Sequence, residues 1–322
     1  MVDLSVLNLN LNTVSEMVQI LGTNDKYLKL LSRLYHVELY TSNNQIMVDS
    51  HDLMILSELE RIFNLLKLFV KRNIFFNERD IIYIHNLIKQ VSDDEISDLF
   101  INRKEVIKTF SGKPVYAKTI NQKKYVEAIE KSTLVFGIGP AGTGKTYLAV
   151  LIGIKKLREG TVKQLILTRP AVEAGENLGF LPGDLMEKVD PYIRPLYDAL
   201  YEIMGHKQTE ELIAKGTIEI APLAYMRGRT LENAYVILDE AQNTTINQMK
   251  LFLTRLGFGS KMIVTGDITQ SDLPKNAESG LVKASKILTD INDVDILYFD
   301  NIDVVRHPLV QTILKRFENA QN

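Results

Sequence analysis

Apolar positions change their spacing along the chain. Tyr27, Leu30, Leu31 and Leu34 fall three and four apart, as do Leu56, Leu59, Phe63 and Leu66. That is the spacing of helices with one buried face, and it predicts a long helix over 53–72. Between these two sets, 37–41 and 45–49 flank Ser42-Asn43-Asn44, which predicts a hairpin. Asn77 and Ser92 read as N-caps, Ser92 with Glu95 three residues on, so short helices are predicted over 78–90 and 93–100. Further along, the pattern becomes short continuous apolar runs: 134–138, 164–168, 218–220, 235–238, 262–265 and 296–299. Strands covered on both faces read this way. Helices fit between them over 145–157, closed by Gly160, and over 245–256, closed by Gly257. The alternation predicts an α/β fold with a mostly parallel sheet.

Turn-forming residues divide the chain. All nine prolines fall at or after Pro114, and only Gly22 of the eighteen glycines precedes position 112. The shift predicts a boundary in 109–118, with a smaller α+β domain over 1–110 and the α/β domain over 111–322. Helix, hairpin and helix around a short loop resemble a KH-type RNA-binding domain, which clamps the nucleic-acid backbone with a G-x-x-G loop. The matching loop here is Gly22-Thr23-Asn24-Asp25, without the second glycine, so such a domain is degenerate. Residues 1–110 carry twelve basic and fifteen acidic side chains, a balance that suits a packing or assembly domain.

Composition narrows the chemistry. The net charge of −2 over 322 residues confines any nucleic-acid site to a local patch. With no cysteine, disulfides, thiol nucleophiles and cysteine-held metal clusters are excluded. His36, His51, His85, His206 and His307 lack ligand spacing, so no zinc site is expected. The most apolar stretch, 53–70, is broken by Ser57, Glu58, Glu60, Arg61, Asn64 and Lys67, and is not a membrane span. The first residues lack the pattern of a signal peptide, and a cytoplasmic protein is expected.

The strongest motif is Gly139-Pro140-Ala141-Gly142-Thr143-Gly144-Lys145-Thr146, which fits G-x-x-x-x-G-K-[ST] between a predicted strand and a predicted helix. Glycines let the backbone wrap a phosphate group and aim N–H groups at its oxygens. Lys145 would reach the β- and γ-phosphates of ATP, and the Thr146 hydroxyl would ligate Mg²⁺. A second motif, 236–243, is an apolar run that ends in Asp239-Glu240, with Asp239 94 residues after Lys145. Asp239 would hold the Mg²⁺ shell and Glu240 would take a proton from the attacking water. The adjacent Glu240 favours hydrolysis over transfer to a bound acceptor, the weaker, kinase-type reading. Two strand candidates fit between the two motifs, enough to place an extra strand between their strands, as in hydrolytic motors. A third motif, Gly266-Asp267 with Gln270 three residues on, offers a γ-phosphate sensor.

These three in order resemble the first motor domain of superfamily-one helicases. Further stretches, 167–184, 221–231, 253–257 and 303–307, make the chain resemble the PhoH family of cytoplasmic ATPases, densely over 110–315. That resemblance implies a RecA-like P-loop NTPase domain, ATP and Mg²⁺ as cofactors, a link to RNA metabolism and RNA-processing proteins, and action as an oligomer. It leaves no room for the PIN nuclease domain that some relatives add. Gln122 matches the helicase glutamine that reads the adenine edge, an even choice with a surface helix residue. Thr168 and Arg169 stand where helicase motors touch nucleic-acid phosphates, or form a structural ion pair. Arg227 and Arg229 flank Gly228 in a loop open to nucleic acid, γ-phosphate or solvent. Only 48 residues follow Pro274, too few for a second motor. A homo-oligomer is therefore expected, with Arg255 or Arg306 as an arginine finger supplied in trans. Two readings of what the ATPase drives stay open: an RNA-dependent motor or remodeller, and a nucleotide-dependent switch or scaffold for a protein assembly.

Overall fold

The computed structural model describes residues 4–7, 9, 13–42, 45–103, 105–170, 185–274, 277–304, 310, 313 and 316. The chain forms two compact units, Met1–Arg103 with Val305–Asn322, and Lys104–Val304. The division falls ahead of the boundary expected at 110.

The first unit runs β1 (Ser5–Val6), α1 (Val14–Leu21), α2 (Lys26–Tyr35), β2 (Leu39–Ser42), β3 (Gln45–Val48), α3 (Leu53–Lys71), α4 (Glu78–Leu87) and α5 (Asp93–Ile101). Its strands form an antiparallel sheet of order β1-β3-β2. Leu31, Ile46, Leu59, Phe63, Leu66 and Phe69 are fully buried, so the predicted helical faces do form the core. Side-chain caps fix the helix starts: Asp52 accepts from Met54 and Ile55, Asn77 shares a capping box with Asp80, and Ser92 accepts from Glu95. Between α1 and α2, Asp25 takes the place of a second glycine and sits at a left-handed φ of 57°.

The second unit continues with β4 (Glu105–Lys108), β5 (Pro114–Tyr116), α6 (Ile120–Lys131), β6 (Leu134–Ile138), α7 (Lys145–Arg158), β7 (Gln164–Arg169), α8 (Leu185–Met204), α9 (His206–Ala214), β8 (Ile218–Pro222), β9 (Ala234–Leu238), α10 (Ile246–Leu253), β10 (Lys261–Gly266), α11 (Gly280–Ile287) and β11 (Val294–Tyr298). Six strands form one parallel sheet of order β11-β6-β10-β9-β7-β8. The α/β class and the parallel sheet are as expected, and β10 separates the P-loop strand β6 from the Asp239 strand β9. Successive strand residues face opposite sides. Leu165 and Leu167 join the core beneath α7 and α8, whereas Ile166 joins Phe136, Val236 and Val264 beneath α10 and α11.

Two local expectations change. The segment 109–118 holds the turn of the β4–β5 hairpin, at 109–113, and the strand β5, inside the second unit. The helix expected to run to 256 ends at Leu253, because Leu231 N–H bonds to the Arg255 carbonyl and Gly257 N–H to the Leu231 carbonyl, which pulls the chain out of the helical path. Among the described residues, no helix is long and apolar enough to cross a membrane.

Candidate nucleotide site

Parallel strands bring their carboxyl ends to one edge of the sheet, and ligands of open α/β sheets bind there. In this sheet Ile138 pairs with Gly266, while Leu238 pairs with both Val264 and Thr168. The residues that leave the strands, Gly139, Asp267, Asp239 and Arg169, therefore emerge along that edge. Two backbone bonds fix the alignment: Gly139 N–H to the Gly266 carbonyl at 3.0 Å and Asp239 N–H to the Thr168 carbonyl at 2.9 Å.

The P-loop joins β6 to α7, and α7 starts at Lys145. Gly144 caps it at φ 80°, a left-handed conformation that suits glycine. Its missing side chain also makes room for Gln122, whose amide nitrogen would lie 3.1 Å from an added Cβ. Lys145 is buried, and its ammonium donates to the Pro140 carbonyl at 3.2 Å. Burial lowers its pKa, against the pull of Asp239, Asp267 and Glu240, which raise it.

Asp239, 2% exposed, collects donors from three strands or helices. Thr146 and Thr265 hydroxyls each donate to Oδ1 at 2.6 Å. Arg169 donates to Oδ2 through Nε at 2.8 Å and through a terminal nitrogen at 2.5 Å. A buried carboxylate needs such partners, and a guanidinium supplies both charge and paired N–H groups. Arg169 thus forms an ion pair within the chain. Glu240 stands beside it, its side chain 47% exposed and 4.0 Å from the same guanidinium. Glu240 has a left-handed φ of 53°, and Gln242 Nε2 donates to its carboxylate.

Gln242 ties two motifs together. Its other amide atom, Oε1, accepts from Asp267 N–H at 2.9 Å. Gly266 has to be glycine for this, since an added Cβ would lie 2.7 Å from that oxygen. Asp267 in turn accepts from the P-loop amide of Ala141 at 3.2 Å and from Thr269. Asn243 and Asp272 exchange a second pair of bonds between the same two loops. The sequence reading offered Arg169 as an ion-pair residue without naming Asp239 as its partner, and missed Thr265 and Gln242 as partners of the two acids. Gln242 and Arg169 were visible as polar residues at strand ends, but not their targets.

The structure brings Lys145, Thr146, Asp239 and Glu240 together with the 139–144 loop. Gln122 lies against that loop, its amide spent on the Thr143 carbonyl at 2.9 Å and on Lys118 N–H at 2.8 Å. Gln270 is exposed on the loop after Asp267, to whose carbonyl its N–H bonds. Arg255 lies beyond the end of α10 and donates to the carbonyls of Leu251 and Arg229. Arg229 is occupied by Glu219, at 2.6 and 2.7 Å. Arg306 lies outside the described residues.

Comparison with known proteins places this site in a family. The model of the family described as PhoH-like protein matches residues 114–318. A PhoH-like protein of Bacillus subtilis (strain 168) is 49% identical over 315 residues, 98% of each chain. The chain belongs to the PhoH-like family. Another PhoH-like protein, of Mycobacterium tuberculosis (strain ATCC 25618 / H37Rv), is 61% identical over 206 residues, 64% of this chain and 58% of the mycobacterial one. A solved structure, the Sulfolobus solfataricus SWI2/SNF2 ATPase core in complex with dsDNA, matches 45% of this chain and 31% of its own at 14% identity, with a TM-score of 0.31, too slight a likeness to bear on the site. As a PhoH-like chain with this P-loop, the protein is a nucleotide-binding protein of the P-loop class.

Proposed function

We propose that this chain hydrolyses ATP with Mg²⁺ and couples the reaction to RNA. The observation that carries the hydrolytic part is the Thr146 hydroxyl, next to Lys145 at the start of α7, on the Asp239 carboxylate just after β9, with Glu240 following it. Thr146 and Asp239 offer the hard oxygen donors that Mg²⁺ takes, and Mg²⁺ is ordinarily held by one or two such side chains plus substrate phosphates. When bound, the ion would offset charge on the phosphate oxygens. Lys145 and the loop amides would hold the phosphates. Glu240, exposed and fixed by Gln242, would accept the proton of the attacking water. Gln270 would report the γ-phosphate and Gln122 would read the adenine edge, using the N–H and lone pair that its bonds to Thr143 and Lys118 leave over.

Arg169 would have to yield part of Asp239 to the metal. Arg169→Ala removes the guanidinium from a buried carboxylate. It is expected to destabilise the ligand-free protein by about 3 kcal/mol. Added Mg²⁺ and nucleotide should then raise the melting temperature of the variant more than that of the wild type. Melting curves with and without the ligands check this, and a wild-type curve in the ligand-free state counts against the pairing.

RNA coupling rests on the helicase-like order of motifs and on the family's link to RNA metabolism. The β-α-α-β-β-α order of the first unit, with its tight Gly22–Asp25 connection, supports a degenerate KH-like domain. Action in the cytoplasm, beside RNA-processing proteins and as a homo-oligomer, belongs to the same reading, with Arg255 and Arg306 as candidate fingers in trans.

Phosphate release from ATP, with and without single-stranded RNA and at several enzyme concentrations, tests the proposal. Stimulation of about tenfold or more by RNA supports a motor or remodeller. Turnover indifferent to RNA moves the reading to a switch or scaffold, which the acidic balance of residues 1–110 favours. Absence of turnover under all conditions overturns hydrolysis itself. Turnover per subunit that rises with enzyme concentration supports a finger in trans.

A further inference from the structure

A pocket lies between the turn after β8 and α10 with the residues that follow it. It has a volume of about 320 Å³ and is lined by Arg227, Gly228, Asn247, Lys250, Leu251, Thr254 and Arg255. Three cations line it, and no carboxylate does.

Among the described residues no carboxylate pairs with these three cations. Arg255 is positioned by uncharged groups: Nε on the Leu251 carbonyl at 3.2 Å, one terminal nitrogen on the Arg229 carbonyl at 2.8 Å and the other on the Thr254 hydroxyl at 3.2 Å. Of its five N–H groups, two are left for a ligand. Arg227 and Lys250 have no ion pair among the described residues. Arg229 shows the contrast, since Glu219 takes its guanidinium through both carboxylate oxygens and it does not line the cavity. Glu232 is exposed on the following turn, outside the lining.

Aromatic surface adjoins the charge in sequence. Tyr225, two residues before Arg227, is 47% exposed, and Phe258, three residues after Arg255, is 90% exposed. A strip of cations beside exposed rings is the combination that tracks a nucleic-acid backbone while bases stack on the side chains. The Asn247 side-chain amide adds a donor for phosphate oxygens.

We propose that this cavity is a contact site for the phosphodiester backbone of a single-stranded nucleic acid, with Arg227, Lys250 and Arg255 on the phosphates and Tyr225 and Phe258 as stacking surfaces. The site rests on the RNA arm of the function proposed above and gives it an address. It assigns Arg255 to nucleic acid and leaves Arg306 as the candidate finger. A phosphate of a neighbouring copy's nucleotide is the competing occupant. It is disfavoured because the exposed rings suit bases.

The test is the fluorescence anisotropy of a fluorescein-labelled oligouridylate on the full chain, over a series of salt concentrations. Arg227→Ala and Lys250→Ala are each expected to weaken binding by roughly 3–10-fold and to lower the slope of log affinity against log salt by about 0.7–1. Lys250→Arg should keep most of the affinity. Affinity for a fluorescent nucleotide analogue should stay at the wild-type value in all three, which also shows that the variants are folded. If the wild type binds the oligomer and the alanine variants bind it equally well with the same slope, the site is overturned while RNA coupling stands. If the wild type does not bind it, both fall, and hydrolysis is judged separately by phosphate release. If RNA binding is unchanged but the concentration dependence of ATP turnover is lost, the cavity takes a neighbour's phosphate and the nucleic-acid assignment is wrong.

Discussion

Lys145→Ala is expected to lower the affinity for ATP by at least about a hundredfold, roughly 3 kcal/mol. The size follows from what surrounds the ammonium. Lys145 is buried, and Asp239, Asp267 and Glu240 all act on its charge. Remove it, and a triphosphate must approach three carboxylates with one less cation between them. The effect is thus larger than the loss of one exposed phosphate contact. Titration with a fluorescent ATP analogue measures it, with a circular dichroism spectrum to show that the helices are retained. An affinity within threefold of wild type, about 0.7 kcal/mol, would mean that the phosphates do not sit at Lys145.

Glu240→Gln is expected to leave nucleotide affinity near the wild-type value and to cut turnover by about 10²–10⁴, the usual share of a general base. The substitution is close to isosteric. A glutamine oxygen still accepts the bond from Gln242, and the left-handed backbone at 240 need not change. What disappears is the capacity to take a proton. Asp239 keeps its donors from Thr146, Thr265 and Arg169, so the carboxylate proposed to hold Mg²⁺ keeps its surroundings. Phosphate release beside a nucleotide titration separates the two effects. Undiminished turnover removes Glu240 from the role of base, and a parallel loss of binding would make it a structural residue instead.

The parts of this protein that could be read from its sequence are those set by local rules. Glycines and a lysine at fixed offsets specify the P-loop, because the backbone geometry that wraps a phosphate admits few other residues. Doubly buried strands show as unbroken apolar runs, which is why β6, β7, β9 and β10 could be located within a residue or two. Side-chain pairings over long separations were not legible. Nothing in the sequence links Arg169 to Asp239, 70 residues away, or Thr265 to the same carboxylate. Those contacts exist because the sheet order sets β7 and β10 on either side of β9. Short elements were also missed. The strands of the β4–β5 hairpin have four and three residues, too few to show a period, and its turn residues looked like a linker. The end of α10 was misplaced because Leu256 bridges to Leu231, a tertiary contact that overrides the helical spacing.

Groups of the P-loop and of the strand end beside it bond to other parts of the protein. The Lys145 ammonium is on the Pro140 carbonyl, the Ala141 amide is on Asp267, and Asp239 is on Arg169. Nucleotide binding is then an exchange of partners rather than the filling of bare donors. The measured affinity is the intrinsic affinity reduced by the fraction of molecules in which these internal bonds have let go. A substitution that weakens any one of them, without touching a phosphate, would tighten binding by removing a competitor. Asp267→Asn is one such change, because its amide is a poorer acceptor for Ala141 than the carboxylate it replaces.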